Sequence, residues 1–199
     1  MGNTRSDILT AARSILARYS LADLSMRRLA TELGVRPNAL YWHFPNKQTM
    51  LAALADDILA GVSSPVTDSW NDDLRSTAIA LRQALLTVPD SAEVVSSSWA
   101  SGLADNDLAG RLFALARTGG LSEAAARGVA TSICQLTIGL TIEEQTRAQM
   151  ERLGVAPPSG RDFSAEFGEA LDVILAGARA AGSGFVEGAL PSDDVVRAR

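Results

Sequence analysis

Apolar residues recur at spacings of three and four along nearly the whole chain, the period of a helix with one buried face. In the first segment these are Ile8, Ala12, Ile15, Leu16 and Tyr19, and Thr4 followed by Asp7 forms the capping box that opens such a helix. A second helix starts from Ser25, a good N-cap, and runs through Leu29 and Leu33 to Gly34, which suits a left-handed C-terminal position. Pro37 stands where the first turn of a third helix accepts proline, and Pro45 stops that helix after about His43. Asn46 caps a fourth, with Met50, Leu51, Leu54, Ile58 and Leu59 apolar, and Ser63, Ser64 and Pro65 end it. Breaks at Pro89, Gly102, Gly119-Gly120, Gly154 and Pro157-Pro158 divide the rest into predicted helices at about 69–87, 91–101, 105–118, 122–153 and 163–181. The expected fold class is all-α, and residues 182–199, rich in glycine and acid, are expected to be a flexible tail.

Composition adds little until it is divided along the chain. With 47% hydrophobic and 21% charged residues, the 199-residue chain is an ordinary globular protein able to bury a real core. No apolar run approaches the roughly 18 residues of a membrane span. The start, MGNTRSDILT, lacks the apolar centre of a signal peptide, so a cytoplasmic protein with no membrane partner is expected. The lone Cys134 sits among apolar residues as a small core side chain. Net charge is −5, yet residues 1–50 hold seven bases and three acids, a net of +4 that leaves −9 for the remainder. A basic head on an acidic body fits a local footprint on a polyanion.

The stretch from Leu24 to Lys47, LSMRRLATELGVRPNALYWHFPNK, places two helices around a tight Leu33-Gly34-Val35 turn, a helix-turn-helix. Leu24, Leu29, Ala30, Leu33, Val35, Leu40 and Phe44 are its candidate core, packed on Ile8, Ala12 and Leu16. That leaves Arg36, Pro37, Asn38 and Ala39 at the exposed start of the helix that would enter a major groove. Asn38 can pair bidentately with adenine, Arg36 or Arg27 with guanine, and Ala39 or Pro37 can touch a thymine methyl. Tyr41, His43 and Lys47 are placed to hold phosphates, with packing at a domain junction as the other role open to His43. Ser25 and Trp42 complete the candidate DNA-binding set. Enzymatic chemistry finds no support: there is no glycine-rich phosphate loop, no G-x-S-x-G and no metal-ligand cluster. Glu143 and Glu144 are adjacent on a helix, about 100° apart, and make no shared acid–base pair.

LYWHFPNKQTMLAAL closely resembles the junction between helices 3 and 4 in the tetracycline-repressor (TetR) family, an L-Y-x-[HY]-F-x-[NS]-K run after a helix-turn-helix. The resemblance covers residues 5–60. Further on, GLSEAAARGVATSICQLTIGLTIEEQ and FGEALDVILAGA look like the last core helices of the tetracycline-repressor subgroup, with Gly139 followed by Glu143-Glu144-Gln145. The resemblance implies a DNA-binding domain over 1–47, and a helical domain over 48–181 that forms a homodimer and encloses an effector pocket. It implies a regulator that a small molecule releases from a palindromic DNA operator; activation, or response to a protein partner, stays open.

Two apolar stripes are candidates for the dimer interface: Val129, Ile133, Leu136 and Leu140, and then Phe167, Leu171, Ile174 and Ala178. An intramolecular core is the other use for each stripe, while the small residues Gly168, Gly177 and Ala181 permit a neighbour to approach closely. Candidate pocket residues are Leu86, Val95, Ser98, Trp99, Leu103, Leu112, Phe113, Gln135 and Met150, an apolar lining with a few polar groups. The family's repressor holds magnesium through a histidine on the helix matching Ala92–Trp99, but AEVVSSSW has none. Glu143 or Glu144 alone is a thin magnesium site, so no metal or cofactor is expected, and the effector is expected to be uncharged or weakly polar and partly aromatic.

Overall fold

Thr4 and Asp7 close the first capping box: the Asp7 N–H donates to Thr4 Oγ1 at 3.2 Å, and the Thr4 N–H donates to Asp7 Oδ2 at 2.7 Å. The backbone bond from Thr4, helped by its hydroxyl, holds the Asp7 carboxyl below the usual carboxylate range. In the computed structural model, which describes residues 4–183, this box starts α1 (Arg5–Arg18). Ser25 caps α2 (Met26–Glu32), and Gly34 at φ 65° turns the chain toward α3 (Pro37–Tyr41). Asn46 and Thr49 form a second capping box at α4 (Lys47–Leu59). There follow α5 (Trp70–Leu86), α6 (Ser91–Ser101), α7 (Leu108–Thr118), α8 (Glu123–Arg152) and α9 (Phe163–Ser183), with no strand among the described residues. From residue 184 the expected tail lies outside them.

The beginning of α7 differs from the sequence expectation by three residues, for a local reason. The backbone N–H groups of Asp105 and Asn106 point back to the carboxylate of Asp56 on α4 at 3.1 and 2.9 Å. Asp107 then caps α7 by accepting from the Gly110 N–H at 2.8 Å.

The helix α4 links two packed groups, with α1 against one part of it and α6 against another. Its residues Met50, Leu54, Ala55 and Leu59 are fully buried, so the core runs continuously from Ile8 and Leu16 to Leu81, Val95 and Ile133. Polar ties position the rest. Buried Asn71 on α5 donates to the Leu175 carbonyl of α9 and accepts from Arg179. Gln145 on α8 donates to the Leu85 and Val88 carbonyls at 3.0 and 2.9 Å, satisfying groups left open where α5 ends. Arg82 is buried 2.7 Å from Glu144, while Glu143 pairs with Arg161 at the surface.

The two apolar stripes of α8 and α9 turn mostly inward, which takes four of the eight candidate interface residues into the core of the chain itself. Ile133, Phe167, Leu171 and Ala178 are buried inside the single chain, because α8 and α9 pack on each other and on α5. Val129, Leu136, Leu140 and Ile174 are half-buried at the edge of this core. The outer face instead carries Gly128, Thr131, Gln135 and Gly139 on α8, with Val173, Gly177 and Ala181 exposed on α9. Helical periodicity identifies a stripe but not which neighbour covers it.

The two acids of the adjacent pair should differ sharply when removed. Glu144→Ala strands the buried Arg82 guanidinium and is expected to cost about 2–4 kcal/mol. Glu143→Ala breaks an exposed pair and should cost less than about 1 kcal/mol. Urea unfolding of the two variants measures both, and equal losses would contradict the burial described here.

Candidate nucleic-acid interface

The turn between α2 and α3 is held by the Val35 N–H donating to the Ala30 carbonyl at 2.9 Å and the Gly34 N–H donating to Thr31 at 3.2 Å. Leu29, Ala30, Leu40 and Phe44 bury themselves beneath it. With those residues inside, Ser25, Arg27, Arg36, Pro37, Asn38, Ala39, Tyr41 and Trp42 are exposed, while His43 and Lys47 are half-exposed. Ser25, Arg27, Pro37 and Tyr41 share one shallow groove across the two helices. Trp42 is 90% exposed, an unusual position for so large a ring.

Charge on this surface is sorted by internal pairing. Each acid of the first fifty residues has a partner: Asp7 serves the α1 cap, Asp23 pairs with Arg28, and Glu32 pairs with Arg18. Arg28 also folds back over the Tyr19 ring at 3.7 Å, and Arg13 pairs with Asp57. Among the described residues Arg27, Arg36 and Lys47 have no acidic partner, so the head's net positive charge faces outward around α3. Sequence reasoning missed Arg5. Its guanidinium donates to the His43 carbonyl at 3.2 Å and lies over the Phe44 ring, bracing the turn that carries Trp42 and leads to Lys47. A cation at the start of α1 gave no local signal of that long-range contact.

A cleft of about 420 Å³ opens beside the C-terminal end of α6, between the following loop and α8. Three expected pocket residues line it: Ser98, Trp99 and Gln135. The others lie elsewhere: Val95 and Leu112 are core, Phe113 is half-buried beneath Arg127, and Leu86 and Met150 are on the surface. Leu103 faces a second cleft, at the junction of α1, α4 and the α6–α7 loop, where His43, Arg5 and Asp56 also lie. Cys134 is at the wall of the first cleft, and burial pushes its thiol up to about 11. The expected magnesium donors do not fit the ion: α6 carries no histidine, Glu143 and Glu144 lie outside the cleft lining and are each taken by an arginine, and the acids that do line it are Asp105 and Asp107, the latter capping α7. Among the described residues no three His, Cys, Asp or Glu side chains gather as a metal site, and no helix is long and apolar enough to cross a membrane.

Comparison with known proteins agrees with this architecture in both halves. Residues 8–54 match the model of bacterial regulatory proteins of the tetR family, and residues 63–157 match the tetracyclin repressor-like C-terminal domain. The class E tetracycline repressor protein of Escherichia coli is 32% identical over 159 residues, covering 76% of this chain and 75% of that protein. The crystal structure of Mycobacterium smegmatis BioQ is similar with a TM-score of 0.82 and 38% identity, covering 90% of this chain and 99% of that one. A crystal structure of BioQ with its natural double-stranded DNA operator matches with a TM-score of 0.73 and 36% identity, over 89% of this chain and 99% of that one. With both domains matched and the helix-turn-helix exposed, the chain belongs to the tetR family and is a DNA-binding regulator of transcription.

Proposed function

We propose that the chain is a cytoplasmic, homodimeric repressor that holds a palindromic operator and releases it when a small molecule enters the cleft beside α6. The observation that carries the DNA half is that Arg27, Arg36 and Lys47, without acidic partners among the described residues, surround an exposed Asn38 and Ala39. On this reading Asn38, Ala39, Pro37 and Arg36 meet base edges, with Arg27 beside them. Lys47, Tyr41 and His43 hold phosphates, with Ser25 and Trp42 on the same surface, and the first N–H groups of α4 lie beside Lys47. Residues 1–47 act as the reading domain and 48–181 as the regulatory one, with α4 rigidly joining them. No catalytic step is assigned to any residue.

The dimer surface we favour is the outer face of α8 and α9, through Gly128, Gly139, Val173, Gly177 and Ala181. A Cβ added at Gly128, Gly139 or Gly177 meets no atom within 4 Å beyond its chain neighbours and the backbone of its own helix, which leaves room for another helix. The half-buried Val129, Leu136, Leu140 and Ile174 border that face. Two copies would place their α3 helices about 34–36 Å apart, one turn of DNA.

The effector chemistry follows the walls of the cleft: the Trp99 ring takes a planar, partly aromatic body, Ser98, Asn106 and Gln135 supply polar contacts, and the acidic Asp105 and Asp107 disfavour an anion. Asp105 and Asn106 line this cleft and donate their backbone N–H groups to Asp56 on α4. An occupant that shifts the loop therefore pulls on α4 and changes the spacing of the two heads. Linkage requires the occupant to favour the released state, and a coupling of about 1–3 kcal/mol gives roughly 5–150-fold release.

Two substitutions separate positioning from reading. On a duplex enriched from random DNA, Lys47→Ala should weaken binding alike for matched and mismatched sites and lower the salt slope by about one. Asn38→Ala should lose about 1–3 kcal/mol on the matched site and tolerate a change at one base pair. Titrations at several salt concentrations give both numbers, and identical behaviour of the two variants would contradict the assignment. Cys134 reports on the cleft. Its raised pKa and burial predict iodoacetamide labelling of the native protein at pH 7.5 at least about 100-fold slower than for a free thiol. A molecule that dissociates the operator should slow labelling further; one that dissociates it without changing the labelling would bind elsewhere.

A further inference from the structure

Among the described residues, Asp90 is the non-glycine residue with positive φ, at φ 59° and ψ 7°. In that left-handed well a Cβ is crowded by the backbone. Asp90 is also the N-cap of α6, yet its side chain makes no bond to the N–H groups of its own helix. An aspartate in that position ordinarily accepts from the second or third N–H of the helix it starts. Here Oδ2 accepts instead from the backbone N–H of Leu21 at 2.7 Å, sixty-nine residues earlier, in the loop between α1 and α2. Strain of this kind persists only where the surroundings over-determine it.

The body supplies that constraint. Gln145 of α8 fastens the turn from Leu85 to Ser91 through two carbonyls, and the Ser91 hydroxyl donates to the Leu85 carbonyl. The turn so fixed aims the Asp90 carboxylate at the head. On the receiving side Leu21 is half-buried against the common core, and the Leu24 N–H donates to the Leu21 carbonyl at 3.2 Å, closing the turn that leads into α2. The bond therefore joins α8, through the α5–α6 turn, to the loop that carries the helix-turn-helix.

We infer that Asp90 is a strained latch, a second attachment of the reading head to the body that bypasses α4. Without it the head pivots about the packing of α4 on α6. With it the direction of α2 and α3 is set by the same turn that α8 holds. Its effect on operator affinity rests on the repressor reading above, whereas the existence of the latch does not.

Three full-length variants test it. Asp90→Gly removes both carboxylate and strain, Asp90→Ala removes the carboxylate and keeps the strain, and Asp90→Asn keeps an acceptor in a residue that tolerates the left-handed well. Hydrogen exchange of the Leu21 amide, the thermal midpoint and affinity for the enriched duplex are measured for each. Gly and Ala should both speed Leu21 exchange by at least about tenfold and weaken duplex binding by about tenfold. Asn should stay within about threefold of the parent in exchange, its amide oxygen still accepting from Leu21. Gly should melt about 2–4 °C above Ala, since only Ala keeps a Cβ in the crowded well. Unchanged Leu21 exchange in the Gly variant would overturn the latch. Faster exchange with unchanged duplex affinity would overturn its control of the head. Should Gly and Ala fail to fold, exchange in Asn as fast as in a peptide would also overturn it. Failure of the parent chain to bind any duplex would contradict the repressor reading, and Leu21 exchange would still decide the latch.

Discussion

The packing of α4 against α6 is the constraint on which the rest of the chain depends. Because Met50, Leu54, Ala55 and Leu59 are fully buried, α4 cannot slide without opening the core that both halves share. Protein interiors are too densely packed to deform gradually, so a displacement at one end of such a helix is passed on as a rigid movement. The Asp56 carboxylate adds direction: it ties the last turn of α4 to the loop that follows α6, which also lines the cleft. The cleft and the DNA-reading face are therefore separated by one rigid element and one pair of hydrogen bonds. Unlike a loose linker, that connection can carry a small change of angle to the distance between two heads.

Electrostatics makes the head useful despite an acidic chain. A net charge of −5 would oppose approach to DNA if it were spread evenly. Instead the acids of the first fifty residues are engaged within the fold, and the cations without such partners cluster around α3. At physiological salt, charges farther apart than about 8 Å are largely screened, so this local arrangement outweighs the acidic body.

Much of the fold could be read from the sequence because local chemistry determined it. Thr4, Ser25 and Asn46 cap the helices they were expected to cap, and the Gly34 turn and Pro37 set the helix-turn-helix. The exposed residues of α3 followed directly, since a five-residue helix with Leu40 buried leaves few faces to choose from. The inward or outward sense of the α8 and α9 stripes was hidden, because Ile133 and Phe167 repeat as an interface would but are covered by the chain itself. The cleft was only partly legible: Ser98, Trp99 and Gln135 reach it, while its remaining wall depends on a loop held by Asp56 from a distant helix. The bonds from Asp90 to Leu21 and from Arg5 to His43 left no trace at the sequence level, because their partners are far apart in the chain.

In the proposed repressor, two heads read one duplex at a spacing fixed by the protein. The most direct measurement compares affinity for the enriched operator with affinity for the same half-sites moved apart by five base pairs, about half a turn of DNA. Both half-sites are intact in the second duplex, but they face opposite sides of the helix. At least about a 100-fold loss is expected, because only one head can then contact its bases. Equal affinity for the two duplexes would show that the heads bind independently, and would contradict release through head spacing.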